Sequence, residues 1–510
     1  MAAGNVLYIT VDQWRGDCLG VAGHPVVRTP NLDRLAARGV RFANHWSVTA
    51  PCGPSRASLH TGLYLMNHRS VNNGTPLDHR FANIAREARA VGYDPTLFGY
   101  TDTSVDPRTV TDPQDPRLFD YEGLLPGFTP GTLLGWHAME PWLDWLAARG
   151  HQIPGTWEEL FEPIPGYPGA EEHGRTWAPS IFPAEHTETA FMTERFLEWH
   201  DERPDGDPWF AHVSYIRPHP PYRAPEGYHD LYDPDDGPAF RRLGDRAAEL
   251  AMHPIHAAGA HITKAPVDER EMRQLRATYW GNMTEVDDQL GRLLDELERR
   301  GDLDDTLVVL TADHGEMLGD HWLIEKLGWW DESYHVPLIV VDPRPDADAT
   351  RGTAVERFTE SVDVMPTICT WMGAEVPIQV DGRELQPFLH DGEAPSDWRT
   401  EAHWQWDFRD PVDHVAEDLL GLTMEQCTLD VIRGDDYKYV QFGNGDRLFF
   451  DFQDDPDQVV DRADDPAVLP ALADAQSRLL TWRMRHDDRT LTGSLVTAAH
   501  GLVVRRDPRR

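Results

Sequence analysis

The chain has 510 residues, 40% hydrophobic and 26% charged, which is typical of a globular protein and excludes a disordered or fibrous one. Lys and Arg total 47 against 86 Asp and Glu, so the formal net charge is -39. Such an acidic chain is a poor match for nucleic acid or an anionic membrane, and we expect neither as a partner. No run reaches the roughly 18 apolar residues of a membrane span, and we expect a cytoplasmic location.

Two rare residue types carry further information. Only three basic residues are lysines, at positions Lys264, Lys326 and Lys438. Because Arg is used almost everywhere else, a remaining Lys hints at a site that needs a compact ammonium group able to lose its proton. The cysteines are four scattered residues, Cys18, Cys52, Cys369 and Cys427. This number and spacing suit neither a disulfide framework nor a CxxC metal site.

The first predicted element is a strand over residues 5–11, a nearly continuous apolar and β-branched run. Such a run is typical of a strand buried on both faces of a parallel sheet. Asp12 follows directly and would lie at the carboxyl end of this strand. Thr29 and Pro30 then predict the start of a helix that ends at Gly39.

The same alternation of helix and strand returns later in the chain. Apolar periodicity predicts a long helix over residues 269–300 and a second buried strand over 306–310, which leads into Asp313 and His314. A further strand is expected at 336–341. We therefore predict an α/β fold with a large, mostly parallel sheet flanked by helices over residues 1–385.

The remaining segments differ in character. Residues 102–183 and 225–266 are rich in Pro, Gly and Trp, which predicts long loops that shape a substrate pocket. After residue 385, short strands are expected at 429–432, 437–442 and 447–452, then a helix near 471–485 and an Arg-rich tail. This pattern predicts a small C-terminal antiparallel α+β subdomain over residues 386–510.

The most distinctive local pattern is PCGPSRAS at residues 51–58. Proline is favoured at the first position of a helix, so Pro54 predicts a helix start with Cys52 beside its positive end. That position suits an anion and lowers the pKa of a thiol. Taken alone, the segment would be interpreted as a helix-capping loop with an incidental buried cysteine.

Several motifs together resemble the type I sulfatases. Residues 52–56 match their C-x-P-x-R signature, in which the cysteine is oxidised to formylglycine. The flanking segments are similar to the phosphonate monoester hydrolase branch: NVLYITVDQWRGDCLG, RTPNLDRLAARGVRFANHW, TGLYLMNHR, RPHPPY, TADHGEMLGDH and SVDVMPT. The resemblance spans most of the chain and implies the alkaline phosphatase-like fold.

The resemblance implies one divalent metal ion bound by Asp12, Cys52 as formylglycine, Asp313 and His314. Two acidic residues that follow strands are expected to converge at the carboxyl edge of a parallel sheet. Gln13 and His314 stand where many sulfatases have Asp and Asn, as in phosphonate monoester hydrolases and also in choline sulfatase. One anionic ligand fewer favours Mn²⁺, with Ca²⁺ as the alternative.

The resemblance also assigns roles beside this metal site. Arg56 would orient the formylglycine hydrate and add positive charge, and Lys326 would act on the anion and the leaving group; the plain alternative is a surface lysine. His219, held among prolines after a predicted strand at 209–216, is a candidate general acid or base. His212 within that strand is its rival.

Substrate contacts are expected from four residues, Gln13, Asn73, Tyr100 and Thr101. Asn73 precedes Gly74, so a plain turn explains it equally well. Tyr100 and Thr101 could place hydroxyl groups at the sheet edge, and the resemblance does not decide between them; both are also ordinary loop residues.

The resemblance implies a metal-dependent hydrolase that uses formylglycine to cleave phosphonate monoesters and phosphodiesters, with sulfate monoesters as side substrates. A dedicated arylsulfatase or a choline-sulfatase-like enzyme is the nearest alternative. A non-catalytic relative would lack ligands or nucleophile, and a two-metal phosphatase would need a Ser or Thr nucleophile and more His and Asp ligands. Expected partners are a small anionic ester, a formylglycine-generating enzyme and further copies of the chain in a homotetramer, with the Arg-rich tail as an arm.

Overall fold

A computed structural model describes residues 4–135, 138–204 and 206–504. The strands are β1 (Asn5–Val11), β2 (Val40–Phe42), β3 (His45–Trp46), β4 (Pro95–Gly99), β5 (Thr129–Leu133), β6 (Phe210–Tyr215), β7 (Thr306–Thr311), β8 (Leu338–Val341), β9 (Thr353–Val355), β10 (Thr359–Glu360), β11 (Ala402–Asp407), β12 (Thr428–Arg433), β13 (Tyr437–Phe442), β14 (Arg447–Asp451), β15 (Ser494–Thr497) and β16 (Gly501–Val504).

The α-helices are α1 (Pro30–Arg38), α2 (Cys52–Thr61), α3 (Leu65–His68), α4 (Ile84–Ala90), α5 (Glu140–Ala148), α6 (Trp157–Leu160), α7 (Ala170–His173), α8 (Glu188–Asp201), α9 (Arg246–Leu250), α10 (Pro254–Thr263), α11 (Glu269–Arg300), α12 (Asp331–Tyr334), α13 (Val364–Met372), α14 (Gln386–His390), α15 (Val415–Leu420) and α16 (Leu469–Arg485).

The main sheet has eight strands in the order β5-β4-β6-β1-β7-β8-β2-β9. Strand β8 runs antiparallel to both of its neighbours, and all other pairs are parallel. The prediction of a large, mostly parallel sheet is confirmed. All seven residues of β1, at the centre of the sheet, are buried, as its continuous apolar run requires.

Helices cover both faces of the sheet. Alternate residues of β1 point to opposite faces, so Leu7 and Ile9 pack in a core with α1, α8 and α11, while Val6 and Tyr8 pack in a core with α2, α4 and α13. Helix α11 has both predicted ends. The Asp268 side chain caps its first turn, and Gly301 ends it at φ 82, a left-handed conformation that glycine adopts without strain.

The C-terminal region forms the predicted antiparallel sheet, in the order β11-β12-β13-β14, with α16 packed against β12 and β13. Strand β11 was not predicted; Gln405 N in this strand donates to Val48 O, in the segment before α2, at 2.9 Å. Phe388 and Leu389 of α14 pack in the same core as α13. The boundary at residue 385 stays a prediction.

Among the helices of the described residues, none combines the length and the apolar character needed to cross a membrane. All four cysteines are buried and free. Of the Arg-rich tail predicted as an oligomerisation arm, residues 505–510 lie outside the described residues.

Candidate active site

The carboxyl ends of β1 and β7 bring two acidic residues together. The strands are parallel neighbours with Thr10 opposite Thr311, so Asp12 and Asp313, each two residues further on, lie side by side. Both carboxylates are fully buried, at 1% and 0% exposure. The convergence expected at this sheet edge is therefore found.

Helix α2 brings Cys52 to the same place. The predicted helix start at Pro54 was wrong by two residues, because Cys52 is itself the first residue of the helix, after Pro51. Its Sγ lies 3.1 Å from His314 Nε2 and 3.9 Å from Asp12 Oδ1. In a formylglycine enzyme, this sulfur stands in for a hydroxyl oxygen of the hydrated aldehyde.

The four predicted ligands form one cluster. Asp12, Cys52, Asp313 and His314 each offer a donor atom, and these atoms lie within 4.8 Å of one another. Burial and the charge of Asp313 raise the pKa of Asp12 well above its ordinary value. Burial lowers the pKa of His314 to about 4, which keeps its imidazole neutral. Two adjacent carboxylates and a neutral imidazole are a donor set that fits a divalent cation.

The thiol does not have the lowered pKa expected at a helix start. Burial, and then the charge of Asp12, raise the pKa of Cys52 well above its ordinary value. That expectation was wrong because removal from water and a neighbouring carboxylate outweigh a helix terminus, whose effect on charge is modest.

Arg56 has a completely buried guanidinium whose five N–H groups all have partners. Nε donates to Asp313 at 2.8 Å, and Nη2 donates to Asp12 at 3.3 Å and to the Tyr100 hydroxyl at 3.0 Å. Nη1 donates to the Tyr100 carbonyl at 3.1 Å and to Ser214 Oγ at 2.7 Å. Arg56 thus holds the two carboxylates in place.

Lys326, His219 and Gln13 form a second group beside the cluster. Lys326 Nζ donates to Gln13 Oε1 at 2.8 Å and lies 3.0 Å from His219 Nε2. His219 Nδ1 lies 2.8 Å from the Pro220 carbonyl. A carbonyl only accepts, so Nδ1 carries the proton and Nε2 accepts from Lys326.

The charges of this pair follow from their surroundings. Burial and then Lys326 lower the pKa of His219 well below its ordinary value, so the imidazole is neutral. Burial opposes the charge of Lys326, but the surrounding carboxylates, with Glu325 first, raise the pKa of this lysine above its ordinary value. Lys326 is therefore the charged member of the pair.

The other predicted site residues differ in where their side chains lie. Asn73 Oδ1 accepts from Gly53 N at 2.9 Å, so this amide lies beside the start of α2. The Tyr100 hydroxyl donates to Asp12 and lies at the cluster. Thr101 turns away, because its hydroxyl donates to the Gly123 carbonyl at 3.0 Å. His212, the rival of His219, is buried in β6 and bonded to a threonine of β1 at 3.0 Å.

Sequence analysis did not single out two residues that touch this machinery. Ser214 is the partner of Arg56 in β6, opposite Thr10 in the parallel register. Glu316 lies two residues after His314 and accepts a hydrogen bond from Gln13. Glu316 stands within the quoted motif TADHGEMLGDH, so its place next to the ligands was a usable signal.

Comparison with known proteins identifies the family that has this fold and this cluster. The model of the Sulfatase family matches residues 4–374. A second model, described as N-sulphoglucosamine sulphohydrolase, C-terminal, matches residues 319–485. The chain belongs to the sulfatase family and is an enzyme with the alkaline phosphatase-like fold.

The chain is similar over nearly its whole length to three known proteins. It is 44% identical to the multifunctional alkaline phosphatase superfamily protein PehA of Trinickia caryophylli, over 96% of this chain and 97% of that protein. The phosphonate monoester hydrolase of Agrobacterium radiobacter superposes with a TM-score of 0.93 at 43% identity, covering 99% of this chain and 100% of that one. That of Silicibacter pomeroyi gives 0.92 at 40%, covering 99% of each.

Proposed function

We propose that this enzyme hydrolyses phosphonate monoesters and phosphodiesters, with sulfate monoesters as side substrates. The observation that carries the proposal is the buried cluster of Asp12, Cys52, Asp313 and His314, flanked by Lys326. Near full-length similarity to two structures described as phosphonate monoester hydrolases supports the choice of ester.

The four clustered residues are proposed to bind one divalent ion, Mn²⁺ in the first place and Ca²⁺ as the alternative. Such an ion acidifies a hydroxyl group and neutralises charge on ester oxygens. Its contribution is needed because Arg56 has no N–H group left for a substrate.

Residue 52 is proposed to be formylglycine, made from the cysteine by a formylglycine-generating enzyme. Hydrated formylglycine offers two hydroxyl groups, one to attack the ester and one whose deprotonation releases the product, whereas a thiol offers neither. Cys52 is only 5% exposed in the fold, so the modifying enzyme would need the chain before this region folds. Mass spectrometry of the tryptic peptide that contains residue 52 tests this, and an unmodified thiol throughout active enzyme would overturn it.

The chain's own residues then divide the work. Lys326 places positive charge beside the cluster and is the proposed proton donor to the leaving oxygen. Neutral His219 directs its Nε2 lone pair to Lys326 and so holds the lysine in place. Asn73, beside the start of α2, and Tyr100, on Asp12, are proposed substrate-side contacts, with Gln13 behind Lys326.

The choice of ester is tested by kcat/KM for an aryl phenylphosphonate, an aryl phosphodiester and an aryl sulfate under one metal condition. We expect the phosphonate and the diester to lead. An aryl sulfate that leads by orders of magnitude would instead establish the arylsulfatase alternative, and a choline ester of sulfate in the same assay tests the choline-sulfatase-like one.

We further propose a homotetramer in the cytoplasm. The hairpin of β15 and β16 supports association, because its apolar side chains are exposed on both faces, with Leu495 at 65%, Val496 at 80% and Leu502 at 65%. A two-stranded hairpin is marginally stable without cover. Four free cysteines support a reducing compartment. Native mass spectrometry with metal analysis on the same sample tests oligomer and metal together; a monomer would overturn the tetramer.

A further inference from the structure

Glu316 is a buried carboxylate whose two oxygens face four hydrogen-bond donors. Its side chain is 0% exposed. Oε1 accepts from the backbone N–H of Leu318 at 2.9 Å and of Glu325 at 2.7 Å. Oε2 accepts from the Tyr222 hydroxyl at 2.8 Å and from Gln13 Nε2. Because all four partners donate, both oxygens act as acceptors.

These four donors come from the three segments that carry the reacting groups. Gln13 follows Asp12 after β1, and Tyr222 lies three residues after His219 in the loop that follows β6. Glu325 directly precedes Lys326 in the loop after β7. One side chain is therefore bonded to all three of these segments, through side chains of the first two and the backbone of the third.

The hydrogen bonds beyond Glu316 have a fixed direction. Because Nε2 of Gln13 donates to Glu316, its Oε1 is the end that faces Lys326. Gln13 also adopts φ 65, an uncommon backbone conformation for a residue other than glycine. Its side chain is bonded at both ends of the amide, to Glu316 and to Lys326. Lys326 then donates to Gln13 and to His219, which leaves its third N–H for an anion.

We propose that Glu316 is a positioning residue for Lys326: its carboxylate fixes the orientation of the Gln13 amide, and that amide holds the lysine at the leaving-group side of the site. This role rests on the proposed function, because it concerns the same reaction.

The substitution Glu316→Gln keeps the size of the side chain and reverses both hydrogen bonds at Oε2; the Tyr222 hydroxyl can accept as readily as it donates, whereas the Gln13 amide cannot accept without turning over. The two backbone N–H groups donate to the oxygen of the new glutamine amide at position 316. The NH₂ group of this amide therefore faces the NH₂ group of Gln13. Gln13 must then turn over, and its NH₂ group meets the Lys326 ammonium. Lys326 loses an acceptor and its fixed position, while the four metal ligands keep their partners.

The first test measures kcat/KM of the metal-loaded enzyme on aryl esters of its best ester class, with phenols of increasing pKa as leaving groups. Poor leaving groups depend on a positioned proton donor, so we expect Glu316→Gln to lose on the order of tenfold more activity on the poorest leaving group than on the best. Tyr222→Phe is the matched control, because it removes one donor from the same oxygen without turning Gln13 over. It should give the leaving-group dependence of the wild type. An equal loss across the series in Glu316→Gln would overturn the proposal.

The second test does not need turnover. The chain has three lysines, so acylation by trace acetic anhydride and mass spectrometry reports each one separately. Exposed Lys264 is the internal reference, and Lys326, which is half-buried and doubly bonded, should react more slowly. Glu316→Gln is expected to raise the Lys326 to Lys264 ratio by about tenfold, and Tyr222→Phe to leave it unchanged. An unchanged ratio in Glu316→Gln would overturn the proposal. If the wild type cleaves none of the three ester classes, the proposed function fails, and this labelling ratio still decides the role of Glu316.

A double variant covers the case in which Glu316→Gln does not fold. Gln13→Glu with Glu316→Gln moves the carboxylate to position 13, where it accepts from both the substituted amide and Lys326 at unchanged total charge. We expect its Lys326 labelling to return to the wild-type ratio. Labelling of Lys326 as fast as Lys264 in a folded double variant would overturn the proposal.

Discussion

Replacement of Arg56 by lysine is the most severe test of how the site is held together. The guanidinium donates five hydrogen bonds to four side chains and one backbone carbonyl, all buried, and its Cζ lies 3.9 Å from the centre of the Tyr100 ring. A lysine has three donors on one atom, so at least two of these bonds are lost, and a single atom cannot reach Asp12, Asp313 and Ser214 together.

The expected cost follows from that count. A hydrogen bond to a charged group contributes about 1.5–3 kcal/mol, so the loss of two lowers the free energy of unfolding by about 3–6 kcal/mol. The loss should be largest in metal-free protein, because a bound divalent ion neutralises the same two carboxylates. Saturating Mn²⁺ is therefore expected to stabilise Arg56→Lys more than it stabilises the wild type.

The measurement is urea unfolding of the metal-free protein, followed by tryptophan fluorescence, with and without Mn²⁺. Arg80→Lys is the matched control: this arginine bonds to Asp78 at the surface, with 72% of its side chain exposed, and its replacement should leave the midpoint unchanged. If the free energy of unfolding of metal-free Arg56→Lys protein lies within about 1 kcal/mol of the wild-type value, the guanidinium does not hold the two carboxylates in place as described.

Three further predictions use other parts of the structure. Asp313→Asn should lose both metal retention, measured by elemental analysis, and turnover; retained metal at the wild-type ratio would contradict the ligand assignment. Lys438→Met should destabilise the protein by about 3 kcal/mol in the same urea assay, because buried Lys438 lies 2.5 Å from Asp331 and its removal leaves that carboxylate with Arg433 as its only cationic partner, beside the Gln458 amide; a neutral result would refute this. Burial, and then Arg56, lower the pKa of His60 to about 3, below the unfolded value near 6.5. Between these two pKa values the unfolded state binds more protons than the folded state. The free energy of unfolding is therefore highest above about pH 6.5 and decreases as the pH falls toward 3. His60→Phe should make this decrease shallower.

The parts of the fold that sequence predicted well are those that local pattern determines. Strand β1 and helix α11 have their predicted bounds, because one is a continuous apolar run and the other has an Asp cap and a terminal glycine. Strand β8 was expected as a strand, but nothing in residues 336–341 indicates that it runs antiparallel. That direction depends on pairing with β2, some 300 residues earlier in the chain.

The same distinction between local pattern and distant contacts applies to the candidate site. Residues that directly follow strands, such as Asp12 and Asp313, were predicted, because the end of a parallel strand fixes which sheet edge they reach. The pKa of Cys52 was not, because it depends on burial and on a carboxylate 40 residues away. Glu316 was not singled out either, although it stands in a quoted motif, because two of its four donors, Gln13 and Tyr222, come from distant segments that a single sequence does not bring together.

The hydrogen-bond partners of Arg56 also limit which groups of this acidic protein can attract an anionic ester. The chain carries a net charge of -39, and buried Arg56 uses all five N–H groups for hydrogen bonds within the protein. Its charge offsets Asp12 and Asp313, and none of its hydrogen bonds is left for a substrate. Positive charge that can reach an ester oxygen must then come from the divalent ion and from Lys326, whose ammonium keeps one N–H outside its bonds to Gln13 and His219. An arginine at position 326 would not serve as well, because a guanidinium gives up a proton far less readily than an ammonium.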